Sequence, residues 1–373
     1  MYSLRRIWTV SHLSSSYRSL TSKQLVYDTN GDPENVLHLR TVEIDSKPGP
    51  GRVRIRYLAS PVNPADINQI QGVYPIKPQL PAVGGNEMVG EVEETGDDVS
   101  RVRCGDRVIA SNSGLGTWQT YANIDEKDLV KIDRSLPVEA AATFQVNPPT
   151  AYRMLKDFIN LKPGDLIIQN GSNSAVGRAV IQLAKIWGFR TVNIIRERPD
   201  FSEVADELRS FGADKVIGER ELQNEKKNIN ARLALNCVGG RSALLLISCL
   251  GIEGVMVTYG GMSKQLIQAP TGPFIFKNIQ LRGFWISQWY KQHENEKVKK
   301  QICPKNYFKN VALKQVFDNI VLQEREKMFS ELTDFIQTGK FRPPNFDKLN
   351  LDDWQKAISN TMKSVNRKQL FVF

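Results

Sequence analysis

From about Pro148 to Ser287 the chain alternates short apolar runs with amphipathic stretches, and this alternation limits its fold more than any other feature. Asp165 to Asn170 reads as a short buried strand. A helix follows, with Val176, Val180, Leu183, Ala184 and Trp187 on one face and Gly188 as its stop. Arg190 to Ile195 is the next strand, and Phe201, Val204, Leu208 and Phe211 mark an amphipathic helix closed by Gly212. Further strands are expected at Lys215–Ile217, Leu233–Val238, Gly254–Tyr259 and Ile279–Trp285, with a helix from Ser242 to Leu250. Strand–helix alternation of this length predicts a parallel, doubly wound sheet.

The first strand meets the first helix through Asn170-Gly171-Ser172-Asn173-Ser174-Ala175-Val176-Gly177. A pyrophosphate at a helix N-terminus is held by free backbone N–H groups and the positive end of the helix dipole, and small residues let the backbone come close. The loop is not a full G-x-G-x-x-G, but its place between a strand and a helix is the context a dinucleotide site requires. The second strand then runs into Arg196-Glu197-Arg198. An NAD site uses an acidic residue here for the ribose hydroxyls, whereas two guanidiniums suit a 2′-phosphate. Glu197 also suits NADH; the arginine pair favours NADPH.

The residues before this region have another texture. From Gln24 to about Asn147 they are punctuated by Gly and Pro and strand-like: Val53 to Leu58 alternates apolar and charged positions, and Val89–Glu93, Arg107–Ala110 and Trp118–Ile124 read the same way. Ahead of these, Met1 to Tyr27 holds Arg5, Arg6, Arg18, Lys23 and many serines but no acidic residue. That is the composition of a mitochondrial transit peptide, which we assign to residues 1–23, and a secretory signal would need an unbroken apolar core. The leader accounts for part of the formal charge of +10. The tail, Gln288 to Phe373, reads as largely helical and charged, with Lys297-Val298-Lys299-Lys300 a solvated face rather than a nucleic-acid patch.

Several functions are disfavoured. The longest apolar run, Ser242 to Ile252, has the length of a buried helix and falls short of the roughly 20 residues of a membrane span. Cys104, Cys237, Cys249 and Cys303 are scattered without C-x-x-C spacing, which fits a reducing compartment and neither a disulfide framework nor a structural zinc site. With three histidines, His12, His38 and His293, few routes to imidazole catalysis exist.

Pro61-Val62-Asn63-Pro64-Ala65-Asp66-Ile67-Asn68, Gln71-Gly72-Val73-Tyr74 and Pro81-Ala82-Val83-Gly84-Gly85-Asn86-Glu87 resemble the medium-chain dehydrogenase/reductase superfamily. Its zinc alcohol dehydrogenases carry Gly-His-Glu where this chain has Gly85-Asn86-Glu87, and a cysteine where it has Pro64-Ala65-Asp66. The chain therefore resembles a zinc-independent branch, with no metal site. The blocks Ala110 to Trp118, Val146 to Tyr152, Leu235 to Gly240, Val257 to Met262 and Leu281 to Trp289 narrow the resemblance to the mitochondrial trans-2-enoyl-CoA and enoyl-[acyl-carrier-protein] reductases, from about Gln24 to Phe373.

The resemblance implies a GroES-like catalytic domain in two parts, 24–149 and 288–373, around a Rossmann NADPH-binding domain, 150–287. It implies Tyr74 as the catalytic residue. It implies cofactor contacts at Asn147, at Asn173, Ser174, Ala175 and Val176, at Arg196, Glu197 and Arg198, at Tyr259, Gly260, Gly261 and Met262, at Phe284, Trp285 and Ile286, and at Lys368. Position 175 is Ala where many relatives have Gly, and the chain from about 294 to 323 is longer than the family pattern. The implied partners are an enoyl-CoA or enoyl-acyl-carrier-protein substrate, acyl carrier protein and a second copy of the chain; the implied place is the mitochondrial matrix.

The chemistry suits these residues. Hydride attack on the β-carbon of an unsaturated thioester builds an enolate, which needs a donor and a proton at the α-carbon. A tyrosine hydroxyl, with an ordinary pKa near 10, stays protonated at neutral pH and can donate. A tyrosine in a loop is ordinarily structural, and only the resemblance gives Tyr74 this role. Phe284 and Trp285 suit the wall of an acyl pocket and a core equally well. A quinone or alkenal reductase on the same scaffold, or a non-catalytic NADPH- or nucleic-acid-binding protein, are the competing readings.

Overall fold

The computed structural model describes residues 20–294 and 311–373. Its centre is a six-stranded sheet in the order Lys215–Ile217, Arg190–Ile194, Leu166–Gln169, Ala231–Asn236, Leu250–Thr258 and Gln280–Gly283, every neighbouring pair parallel. The central strands are buried, as expected of a sheet covered on both faces. The helix Ala175–Trp187 ends at Gly188 and the helix Phe201–Phe211 at Gly212, both left-handed with φ of 75° and 108°, conformations glycine adopts without a Cβ penalty.

The second body is built on a seven-stranded sheet. Its path runs Phe346–Leu349, Lys368–Val372, Arg52–Pro61, Val89–Thr95, Arg107–Ala110 and Leu129–Lys131, with Tyr121–Asp125 paired beside Arg52–Pro61. A three-stranded sheet, Leu37–Ile44, Leu20–Tyr27 and Ala82–Val83, packs with it through Trp118, Tyr27 and Phe371. The largest core cluster joins the two bodies: Leu183, Leu233 and Val255 share it with Ala59, Ile109 and Phe144. Among the described residues no helix is long and apolar enough to cross a membrane.

Four expectations change. The tail is not simply helical, because Lys368–Val372 adds to the strand-rich sheet against Ala59, Ser60 and Pro61, burying Leu370 and Phe371 completely. The apolar run Ser242–Ile252 is split between a helix, Gly240–Ser248, and a strand that starts at Leu250, since both must fit one crossover. Trp118 is a core residue outside any strand; Gln119 makes an isolated bridge to Gln24, and the strand begins at Tyr121. Leu20–Lys23, placed in the leader, belong to the strand Leu20–Tyr27, with Ser22 wholly buried and donating to the Tyr121 carbonyl at 2.6 Å. The rest of the leader and the Lys297–Lys300 run lie outside the described residues.

Candidate active site

The strand order of the six-stranded sheet reverses between Leu166–Gln169 and Ala231–Asn236, and ligands of such sheets sit outside the strand ends at this point. Two asparagines lock the two strand ends together. Asn170 donates to Asn236 Oδ1 at 2.8 Å and accepts from the Cys237 N–H at 2.8 Å. Gly171 has φ of 57°, and a Cβ there would come within 2.5 Å of Cys237 Sγ. A Cβ on Gly177 would meet the Ser172 carbonyl oxygen at 2.5 Å. The loop therefore requires glycine at both places, for backbone shape and for close packing.

Ser174 is the N-cap of the helix Ala175–Trp187, and its hydroxyl accepts from the Gly177 N–H at 3.1 Å. The first N–H groups of that helix have no intrahelical acceptor and are open to an anion. Asn173, Ser174, Ala175 and Val176 are all partly exposed there. Tyr259, Gly260, Gly261 and Met262 follow the neighbouring strand Leu250–Thr258 at the same end of the sheet, with Met262 N–H bonded to the Cys237 carbonyl at 2.9 Å. The Tyr259 hydroxyl is shielded near Cys237 and Ser174 without closing a hydrogen bond, and burial pushes its pKa well up. Asn147 opens the helix Asn147–Lys156, and its buried side-chain amide nitrogen has no partner among the described residues. Leaving such a donor unmade costs about 1–3 kcal/mol, so a ligand acceptor suits it.

Arg196 and Glu197 are exposed and Arg198 half-buried at the end of the second strand. Glu197 is engaged away from a ribose: it pairs with Arg220 at 3.2 Å and accepts from the Arg220 N–H at 3.4 Å. Neither Arg196 nor Arg198 has a carboxylate partner among the described residues, and burial and the Arg198 charge lower the pKa of Arg196. Two unneutralised guanidiniums with the nearby carboxylate occupied fit a 2′-phosphate. The unpartnered Asn147 amide, the two required glycines, the open helix N-terminus and this cationic pair all fit NADPH.

Tyr74 lies across the cleft in the loop after the helix Pro64–Ile70. The loop is pinned by Gln69, whose side chain donates to the Ile76 carbonyl at 3.2 Å, and by the Val73 N–H on the Asn68 carbonyl at 3.0 Å. Trp285 Nε1 donates to the Tyr74 hydroxyl at 2.9 Å, and the rings meet edge to face with centroids 6.0 Å apart. Burial, and secondarily the Asp66 charge, raise the Tyr74 pKa above its ordinary value, against the opposing effect of the Trp285 bond. Trp285 is thus a cleft residue. Phe284 is half-buried edge-on to Phe158, and Ile286 is a core residue whose side chain is turned from solvent.

Behind Tyr74 lies a buried polar cluster whose organisation sequence reasoning missed. Asp66, third residue of the short helix, accepts from the Asn63 N–H at 2.7 Å and from Asn86 at 2.6 Å. Asn86 also donates to Gln69 at 2.9 Å and accepts from the Gly114 N–H at 2.6 Å. Glu87 accepts from Asn63 Nδ2 and from the Val146 N–H, each at 2.8 Å, which ties the cluster to the segment carrying Asn147. Lys368 reaches in from the C-terminal strand and donates to Asn63. Burial pushes Asp66 up to about 6 and Glu87 to about 7, while the nearby Lys368 ammonium works in the opposite direction. Burial likewise lowers the Lys368 pKa. The available signal was the placement of Asp66 and Glu87 as the single charged residues of their motifs, Pro61–Asn68 and Pro81–Glu87.

The described histidines stay away from this cleft: His38 pairs with Asp28 at 3.5 Å, and His293 stacks on Trp289 at 3.8 Å.

Residues 49–134 match the alcohol dehydrogenase GroES-like domain family and residues 175–301 the zinc-binding dehydrogenase family. The donor set does not fit zinc. Among the described residues no group of three His, Cys, Asp or Glu is placed to hold a metal, and every oxygen of Asp66 and Glu87 already accepts an N–H beside an ammonium. The mitochondrial enoyl-[acyl-carrier-protein] reductase of Caenorhabditis elegans is 47% identical over 96% of this chain and 97% of its own. That of Homo sapiens is 43% identical over 96% of this chain and 91% of its own. The solved complex of Etr1p with NADP and crotonyl-CoA superposes with a TM-score of 0.81 at 32% identity, covering 95% of this chain and 100% of that one. With such identity along nearly its whole length, set on a parallel sheet joined to a GroES-like body, the chain belongs to the mitochondrial enoyl-[acyl-carrier-protein] reductases of the medium-chain dehydrogenase/reductase superfamily.

Proposed function

We propose that this protein is a mitochondrial, NADPH-dependent reductase of trans-2-enoyl thioesters, with Tyr74 as the donor to the developing enolate. The observation that carries the reading is the Tyr74–Trp285 contact, which sets a protonated hydroxyl of one body against the strand-end segment of the other, beside the dinucleotide crevice. The enoyl-[acyl-carrier-protein] reductases of 43–47% identity and the Etr1p complex with NADP and crotonyl-CoA support the substrate class.

NADPH, when bound, supplies the hydride for the β-carbon. The chain's own residues do the rest. Ser174 and the open helix N-terminus would hold the pyrophosphate, and Arg196 and Arg198 would hold the 2′-phosphate. Trp285 occupies a lone pair of the Tyr74 oxygen, which fixes the phenol and leaves its proton for the substrate. The raised Tyr74 pKa keeps that proton in place at neutral pH. Asn86 and Gln69 steady the Tyr74 loop from behind.

A second copy of the chain and acyl carrier protein complete the reading. Among the described residues the strand Gln280–Gly283 is an unpaired edge of the six-stranded sheet, and Leu266, Ile275 and Phe276 nearby in the chain are exposed by 86%, 67% and 80%. An isologous dimer through this edge would cover both the unpaired backbone and the apolar side chains. Light scattering of the wild type and of Phe276→Asp tests it, and a monomeric wild type overturns it.

Steady-state NADPH oxidation with enoyl-CoA and enoyl-acyl-carrier-protein substrates of several chain lengths, set against a panel of quinones and alkenals, tests the function. Turnover with the thioesters supports it; turnover confined to quinones or alkenals would overturn it.

A further inference from the structure

The turn between the last helix, Trp354–Met362, and the last strand, Lys368–Val372, belongs to the strand-rich body but touches the dinucleotide half at two places. Arg198 Nη1 donates to the Ser364 carbonyl at 3.1 Å. Two residues on, Asn366 Oδ1 accepts from Arg178 Nη2 at 2.6 Å, and the Asn366 amide donates to Glu207 at 3.3 Å. Ser364 itself is left-handed with φ of 56°, a conformation costly for a residue with a Cβ and retained here by the contacts on either side.

Arg178 anchors the assembly. It is 5% exposed, pairs with Glu207 at 2.7 Å, and also donates to the Asn173 carbonyl of the glycine-rich loop. One buried guanidinium thereby connects the pyrophosphate loop to the turn that holds Arg198. An arginine already held in one rotamer loses less freedom when it meets a phosphate than one swinging in solvent. A carbonyl can hold it without cancelling its charge, which a carboxylate would do.

We propose that the Ser364–Asn366 turn, clamped by Arg178 and Glu207, is a specificity-determining element that pre-sets Arg198 for the 2′-phosphate of NADPH without touching the cofactor. The proposal rests on the reading of Arg198 as a 2′-phosphate ligand, and the experiment separates the two. Binding of 2′,5′-ADP and 5′-AMP to the full-length protein is measured by calorimetry, since only the first carries the 2′-phosphate, and thermal denaturation checks each fold.

Arg198→Ala should weaken 2′,5′-ADP by about ten- to a hundredfold and leave 5′-AMP nearly unchanged, the range expected for a charged hydrogen bond. Asn366→Ala should weaken 2′,5′-ADP selectively by about three- to tenfold, the scale of positioning residues outside a site. In the Arg198→Ala background the Asn366→Ala effect should vanish, as it must if the turn acts through that guanidinium. Should Asn366→Ala not fold, Glu207→Gln, which weakens the clamp while keeping its shape, should show the same selectivity at smaller size. Equal losses for both nucleotides, no loss, or an Asn366 effect that persists without Arg198 overturns the proposal while leaving the Arg198 reading intact. An unselective Arg198→Ala overturns both.

Discussion

Trp285 Nε1 and the Tyr74 hydroxyl are 2.9 Å apart although 211 residues separate them in the chain. The bond joins the loop after the helix Pro64–Ile70 to the segment leaving the last strand of the parallel sheet. An indole N–H only donates, so the phenol oxygen accepts and its proton is left for another partner.

Tyr74→Phe removes this hydroxyl and keeps the ring. We expect kcat on a short enoyl thioester to fall about 10²–10³-fold, as for loss of one oxyanion donor, with folding and NADPH affinity retained. Trp285→Phe leaves the hydroxyl but frees its orientation, so its loss should be smaller. A Tyr74→Phe enzyme with wild-type kcat returns the residue to a packing role. In the wild type the alkaline limb of the kcat profile should lie above the ordinary tyrosine value, because burial raises the Tyr74 pKa, and Tyr74→Phe should abolish that limb.

Cofactor choice is a separate matter. The double variant Arg196→Ala with Arg198→Ala should weaken NADPH, each lost charged hydrogen bond costing about 1.5–3 kcal/mol, while NADH changes little because Glu197 is held by Arg220. Paired dissociation constants decide this, and equal losses show that the arginines do not read the 2′-phosphate.

Chelation should leave turnover unchanged. Where zinc-dependent relatives place a histidine, Asn86 instead spans Asp66, Gln69 and the Gly114 N–H, and Lys368 adds the positive charge nearby. Stoichiometric zinc in the purified protein, with activity lost on its removal, contradicts this.

The buried carboxylates make stability depend on pH in a stated direction. Glu87 titrates at about 7 in the fold against an ordinary 4.5, and Asp66 at about 6 against 3.8. Between those values the folded chain keeps protons that the unfolded chain has released. The stability that these two groups contribute is therefore fully present below about 4 and is lost as pH rises towards 7. Urea denaturation of the wild type at pH 5 and pH 8 should show that decline, and Glu87→Gln should reduce it by about 1–3 kcal/mol, at roughly 1.36 kcal/mol per pKa unit. An unchanged slope in Glu87→Gln assigns the dependence elsewhere.

The mature N-terminus should fall at or before Leu20. A cut after residue 23 would remove half the strand Leu20–Tyr27 and the buried Ser22 bond to Tyr121. N-terminal sequencing of the imported protein checks this, and a start at Gln24 contradicts it.

The sequence by itself determined the parallel sheet, because apolar period, capping glycines and strand–helix alternation are local. Gly188 and Gly212 end their helices where the pattern stops. It also determined the tight strand–helix turn we read as a phosphate loop, since Gly171, Ser174 and Gly177 act within that one turn, and it placed the two arginines one strand further on. The role proposed for Tyr74 rests on resemblance, because nothing in its sequence neighbours distinguishes a donor from a packing residue. The tertiary structure alone decided what faces that tyrosine, how Glu197 is diverted to Arg220, and that the C-terminal strand delivers Lys368 to Asn63. Each of these is a pairing between groups far apart along the chain or on separate elements, fixed by burial and hydrogen-bond geometry that no local pattern encodes.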